Sequence, residues 1–317
     1  MLPIVDGSAV VDGAPWVRCT QHGTLGCNWL APVESTYERG RCLSDSLIRR
    51  EPAADDTLAR EKLVPTAAAL RRLVYQVDEL GLPIEPFWRR AGGLAFDLLS
   101  SRSTGEKVII GHAGGVITID VVESLDDYRE SLRVRLGEPY RTMLGHFRHE
   151  VGHYYQNVLI ETGSGATRYL DECRALFGDE RASYSDGIAR HYATGAPEGW
   201  AETFISEYAT MHPWEDFAEC FAHYLHITDT IETSREAGMV LHADRVRFTA
   251  PRDIAPLESY ADVPIERLLF DWHWVALLFN RVNTAMGKNP VYPFDIPPAV
   301  VTKLGFVHRV VRETAAV

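Results

Sequence analysis

His149-Glu150-Val151-Gly152-His153 is the stretch of this chain with the plainest chemistry. On a helix turning every 3.6 residues, positions 149 and 153 share a face and position 150 lies beside them. Two imidazoles so placed are most of a zinc site, and the carboxylate between them is a base for the water that such a metal activates. The helix itself is legible from Leu144 to Leu159, where Leu144, Phe147, Val151, Tyr154 and Val158 recur three or four residues apart. The competing reading is an amphipathic helix with two unrelated surface histidines. A third ligand elsewhere in the chain separates the two.

A hydrolytic zinc takes three protein ligands and keeps one position open. Glu215 is the candidate. Residues His212 to His226 have the pattern of a second helix, with Pro213 in the first turn, acidic residues near the start, and Phe217, Phe221 and Leu225 four apart. Glu219, one turn beyond Glu215, is placed to accept a hydrogen bond from a ligand histidine's other ring nitrogen and so fix its tautomer. Asp216 is the alternative third ligand, but one position off it points about 100° away from Glu215. His146 lies three residues before His149, and His212, His223 and His226 flank the second helix. His146, His223 and His226 are read as supporting or packing groups, because two histidines and a glutamate already complete a catalytic set.

Glu215-Asp-Phe-Ala-Glu219, preceded by Tyr208, resembles the third-ligand helix of gluzincin metallopeptidases, the lethal-factor type in particular. The wider text, Gly137 to Tyr155 and Tyr208 to Glu219, is similar to a bacterial family of zinc-binding metallopeptidases. The similarity runs from Gly26-Cys-Asn-Trp-Leu30 through Gly111-His-Ala-Gly-Gly-Val-Ile-Thr-Ile119 to Tyr292-Pro-Phe294 and Lys303-Leu-Gly-Phe-Val-His308. The resemblance implies an α+β, zincin-like fold, with a small sheet packed on the HExxH helix and a mostly helical C-terminal lobe. It implies one catalytic Zn²⁺ on His149, His153 and Glu215, and hydrolysis of peptide bonds with Glu150 as general base. Tyr208, seven residues before Glu215, takes the family's role of donor to the oxyanion. Partial burial is expected to raise the pKa of Glu150 toward the working pH.

Five cysteines, an odd number unevenly spread at 19, 27, 42, 173 and 220, argue against a disulfide framework. Cys19-x₂-His22, Gly26-Cys27 and Cys42-x₂-Asp45 have metal-ligand types at knuckle-like spacing. In the related family this region resembles a zinc ribbon with four thiolates, and here Asp45 stands where the fourth cysteine is expected. Two readings stay open: a structural zinc in a Cys₃Asp or Cys₃His site, or a degenerate ribbon without metal held by Trp16, Trp29 and Leu30. Cys173 and Cys220 are read as core thiols.

The 317 residues are 46% hydrophobic and 24% charged, enough for a large core. A net charge of −12 argues against nucleic acid or an anionic membrane as partner, and the resemblance implies a peptide or protein substrate. No apolar run approaches the roughly 18 residues of a span, and Met1 to Asp6 lacks the basic and apolar regions of a leader, so a cytoplasmic location is expected. Residues 1–52 read as the ribbon-like segment and 53–317 as the metallopeptidase domain, divided into 53–165 with the HExxH helix and 166–317 with the third ligand. Strands are expected at 94–99, 107–110 and 116–122, the last either an interior strand or an edge that captures peptide by strand addition. Helices are expected at 57–80, 124–136, 141–162, 166–177, 180–194, 198–210, 213–230 and 264–286. The 61 residues between His153 and Glu215 thus form helices that cover or shape the site. Three classes remain: a zinc peptidase, a zinc hydrolase of another amide, and a binding protein with a structural metal. Glu150 speaks against the third, since a structural site needs no base.

Overall fold

The computed structural model describes residues 8–33, 40–124, 142–245 and 250–315. The helix expected at 124–136 falls almost wholly outside them. The chain divides into two compact units, the first formed by Met1–Leu132 and Thr142–Tyr154, the second by Arg133–Arg141 and Tyr155–Val317.

The first unit opens with an antiparallel meander of β1 (Ser8–Val11), β2 (Ala14–Arg18) and β3 (Leu30–Pro32). After the short helix α1 (Leu43–Ser46) comes β4 (Ile48–Arg50). The long helix α2 (Thr57–Glu79) follows, its first turn capped by Asp56, which accepts from the Ala59 amide at 3.1 Å. Leu63, Ala67, Leu70, Val74 and Val77 of α2 recur at helical spacing and are all buried. Then come β5 (Ala95–Leu99), the single turn α3 (Ser101–Thr104), β6 (Gly111–Ala113), β7 (Val116–Asp120) and α4 (Met143–Tyr155). The four strands form one sheet in the order β4-β5-β7-β6, parallel except for β6. Gly115, in the β6–β7 turn, has φ +87°, and a Cβ there would lie 2.3 Å from the Gly92 carbonyl oxygen, so only glycine lets the hairpin close.

Two strand expectations change. Residues 107–110 form no strand: the Val108 amide goes to the Ser101 hydroxyl at 2.9 Å and Ile109 faces solvent, 86% exposed, so pairing begins only at Gly111. The segment 116–122 is a strand only to Asp120, and β7 is interior, with β5 on one side and β6 on the other. Its backbone groups are already paired, which removes it as a site of strand addition. The edge is β6.

The second unit begins with a π-helical turn, Gln156–Glu161, and continues as helices α5 (Gly163–Arg168), α6 (Leu170–Phe177), α7 (Tyr184–Thr194), α8 (Pro213–Glu236), α9 (Ile265–Ala285) and α10 (Pro298–Ala315). Helix α8 is its axis, packed against α6, α9 and α10, with Phe177 of α6 in edge contact with Phe217 of α8 and Phe306 of α10. The helix expected at 198–210 is instead two separate turns, Trp200–Glu202 and Tyr208–Thr210. Gly199 sits at φ +74° and the Thr203 carbonyl is taken by Lys303 at 2.8 Å, so no continuous ladder forms. Helix α10 is unanticipated, because Pro297-Pro298 reads as a turn. Pro298 in fact opens the helix, where its missing amide costs nothing, and Val300, Leu304, Val307 and Val311 follow on one buried face. No helix among the described residues is long and apolar enough to cross a membrane.

Candidate metal centre

Thr142 starts α4, its hydroxyl accepting from the Gly145 amide at 2.9 Å. One face of the helix is apolar and buried: Phe147 meets Phe96 of β5 edge-on, centroids 5.6 Å apart, and Tyr154 lies against His112 of β6. Arg148, buried, donates to Gln76 of α2 at 3.0 Å, which locks the rotation of the helix. The other side then presents His149 and His153, rings edge-to-face with centroids 4.9 Å apart. Glu150 is 6% exposed. One of its oxygens takes His146 Nε2 at 3.3 Å, and Oε2 has no hydrogen-bond partner among the described residues.

The expectation of a raised Glu150 pKa is reversed. Burial does push it up, but the His146 contact and the neighbouring His149 and His153 charges together pull it below the ordinary carboxylate value. His146 is thus paired with the Glu150 carboxylate. His112 is also close, on β6; its Nε2 accepts from the Gly115 amide at 3.2 Å, so the neutral ring carries its proton on Nδ1. Burial, then His153, lowers its pKa to about 4.

In the second unit, His212 caps α8, its Nδ1 accepting from the Trp214 amide at 3.1 Å, and Pro213 takes the first position. Glu215 and Asp216 follow, 2% and 1% exposed. Glu215 Oε1 accepts from the Tyr184 hydroxyl at 2.7 Å. Asp216 is engaged elsewhere: Lys303 of α10 reaches it at 2.6 Å and stands over the Phe204 ring. Burial raises the Asp216 pKa to about 7 against the pull of Lys303. Glu219 accepts from Ser206 at 2.6 Å, and the Ser206 hydroxyl in turn accepts from the Ala209 amide, which ties α8 to the turn bearing the half-buried Tyr208. His223 is buried against Tyr292, 2.7 Å from its hydroxyl, and Phe294, with His226 beside it.

Within the compact units, two groups of side chains among the described residues bring one ligand atom each within 4.8 Å of one another: the exposed His242, Asp244 and Asp253; and Cys19, Cys27, Cys42 and Asp45. In the second group Cys19 Sγ is 3.2 Å from Asp45 Oδ2 and Cys27 Sγ 3.7 Å from Cys42 Sγ. The sulfurs accept from the amides of Gln21, Trp29, Cys42 and Asp45, and all four residues of the group are buried. Hydrogen bonds from Cys27 and Cys42 hold the Cys19 thiol far below its ordinary pKa. Arg71 of α2 meets the other Asp45 oxygen at 3.3 Å. His22 is exposed and contacts the Cys19 carbonyl oxygen. Cys173 and Cys220 are buried free thiols, as core packing requires.

Tyr184, Ser206, Lys303 and Arg71 escape a reading of the sequence. Each acts across 13 to 87 residues, from Ser206–Glu219 to Lys303–Asp216, and carries no motif. Only Lys303 had a signal, the buried stripe of α10.

A family described as "Putative zinc-binding metallo-peptidase" matches residues 60–310. The chain belongs to that family. Similar proteins from Mycobacterium bovis and Mycobacterium tuberculosis, both uncharacterized, are 41% identical over 313 residues, covering 96% of this chain and 85% of their own length. No solved structure matches. The family match takes in both α4 and α8, while the cysteine group lies before its first residue.

Proposed function

We propose that the chain is a zinc-dependent peptidase of gluzincin type on a zincin-like fold, with His149, His153 and Glu215 holding the metal. The carrying observation is Glu150: a buried carboxylate beside two half-open imidazoles, anchored through one oxygen by His146, with Oε2 unpartnered among the described residues. Burying a carboxylate with one oxygen unpaired costs stability, and such a cost is characteristic of a functional site. The donor set fits Zn²⁺, two neutral nitrogens and one oxygen being the set of a hydrolytic site. Bound there, the ion would polarise the scissile carbonyl and acidify a water.

Glu150 Oε2 accepts the proton of the attacking water and passes it to the leaving nitrogen, while His146 keeps the carboxylate aligned. Tyr208 donates to the oxygen on which negative charge develops. Glu219 steadies the turn of Tyr208 through Ser206 and holds a ligand histidine's tautomer. A peptide is the substrate the family implies, and the five free thiols suit a reducing, cytoplasmic setting.

On the same reading residues 1–52 are a degenerate ribbon that keeps a structural zinc on Cys19, Cys27, Cys42 and Asp45, ahead of the catalytic domain at 53–317. Four buried ligands with amide hydrogens on the sulfurs fit a closed thiolate site, and exposed His22 is the weaker alternative. The test is metal content and hydrolysis of a peptide library by wild type and Glu150→Gln. Two zinc ions per chain in both, with cleavage only by wild type, supports the reading; equal inactivity of both overturns it.

A further inference from the structure

We propose that Tyr184 is a positioning residue that dictates which oxygen of Glu215 is offered to the metal, and that α7 exists to hold it there. The proposal rests on Glu215 being a ligand. Tyr184 opens α7, its backbone set by Ser183, whose hydroxyl accepts from the Asp186 amide at 3.3 Å. Its phenol donates to Glu215 Oε1 at 2.7 Å, and its ring stands edge-on to His212, centroids 5.2 Å apart.

Three further ties bind α7 to the start of α8. His212 Nδ1 accepts from the Trp214 amide, so the neutral ring's proton is on Nε2, which donates to the Ala182 carbonyl at 3.0 Å. Arg190 donates to the Met211 and Thr210 carbonyls at 3.0 and 3.3 Å, capping the turn that leads into α8. Gly187 lies so close that a Cβ there would sit 2.7 Å from the Met211 carbonyl oxygen. Both faces of the contact are backbone, and only glycine fits.

A glutamate in the first turn of a helix has three rotatable bonds and two equivalent oxygens, so its ligating geometry is not set by α8 alone. A phenol donating to Oε1 removes that freedom, favours the ionised carboxylate and leaves ligation to the other oxygen. The long connection between the HExxH helix and the third ligand thereby gains a purpose, since it carries the group that orients the ligand.

The test uses the full chain stripped of metal, with Zn²⁺ affinity read by competition against a chelator and the visible spectrum of bound Co²⁺ as the geometric probe. Tyr184→Phe removes one oxygen atom and should weaken zinc about tenfold, the low end of losses seen when a ligand's supporting hydrogen bond is removed. The Co²⁺ absorption should fall as the freed carboxylate becomes bidentate and the coordination number rises. The thiolate site contributes equally to both proteins, so the difference spectrum reads the histidine site. Gly187→Ala, which pushes α7 off the Met211 carbonyl, should shift both readouts the same way. Glu215→Gln separates the two ideas. If it weakens zinc while Tyr184→Phe leaves affinity and spectrum unchanged, the positioning role is wrong. If Glu215→Gln itself changes nothing, the ligand assignment falls, and this proposal with it.

Discussion

The cysteine group near the N-terminus and the histidine centre on α4 are assembled in opposite ways. The first draws four ligand-type side chains from 27 consecutive residues, Cys19 to Asp45, every one buried and every sulfur receiving a backbone amide. Arg71 closes the remaining side of Asp45. At the second, two imidazoles stay half-open and a buried carboxylate keeps one oxygen without a hydrogen bond among the described residues. A closed set of ligands stabilises a fold, whereas an incomplete set beside a base is what hydrolysis requires.

Glu150→Gln would break this contrast most sharply. It should lower turnover by roughly 10²–10⁴-fold, the usual worth of general base catalysis, while zinc content and the unfolding temperature stay as in wild type. Loss of metal from the variant would mean that Glu150 is itself structural. Arg71→Leu addresses the other site. Asp45 then keeps its buried charge without its partner, and stability should fall by about 3–5 kcal/mol in denaturant titration. Turnover per folded molecule should be unchanged; a parallel fall in turnover would show that the two sites are not independent.

The asymmetry between the sites also explains what the sequence shows. Helices α2, α4, α8 and α9 are legible because their apolar residues repeat at helical spacing, and the HExxH pattern places its own side chains once α4 is a helix. The sheet is less legible. The strand at Gly111–Ala113 has a glycine and a histidine where a β-rich run is expected, while the β-branched run Val108-Ile109-Ile110 forms no strand because Ser101 claims the Val108 amide. Tyr184 and Arg71 leave no trace, since a hydrogen bond between residues 26 or more apart obeys no period. The Glu150 pKa is misjudged for a related reason: its burial is foreseeable from the helix, but the net balance of three histidines against that burial is not.

Tyr208→Phe sharpens the catalytic side. The variant should lose about 10²–10³-fold in kcat with KM little changed, as for an interaction made only as charge develops on the oxyanion. A rise in KM alone would make Tyr208 a binding group, and no change would leave it a packing residue of its turn.

The smallest expected effect comes from His112. Its folded pKa, about 4, lies below the unfolded value of 6.5, so the folded chain resists a proton that the unfolded chain accepts. The stability carried by the neutral ring is therefore fully present above about pH 6.5 and is lost as pH falls through 4. After screening at a half-buried position the loss should be about 1 kcal/mol. It is read as the difference between wild type and His112→Gln, both metal-free, in unfolding curves from pH 7 to 4. The glutamine amide can still accept from Gly115 but cannot titrate, so the gap between the two proteins should narrow on acidification. A constant gap would mean that the ring is already protonated or fully solvated, and that the wall of the histidine centre on β6 is wetter than its burial implies.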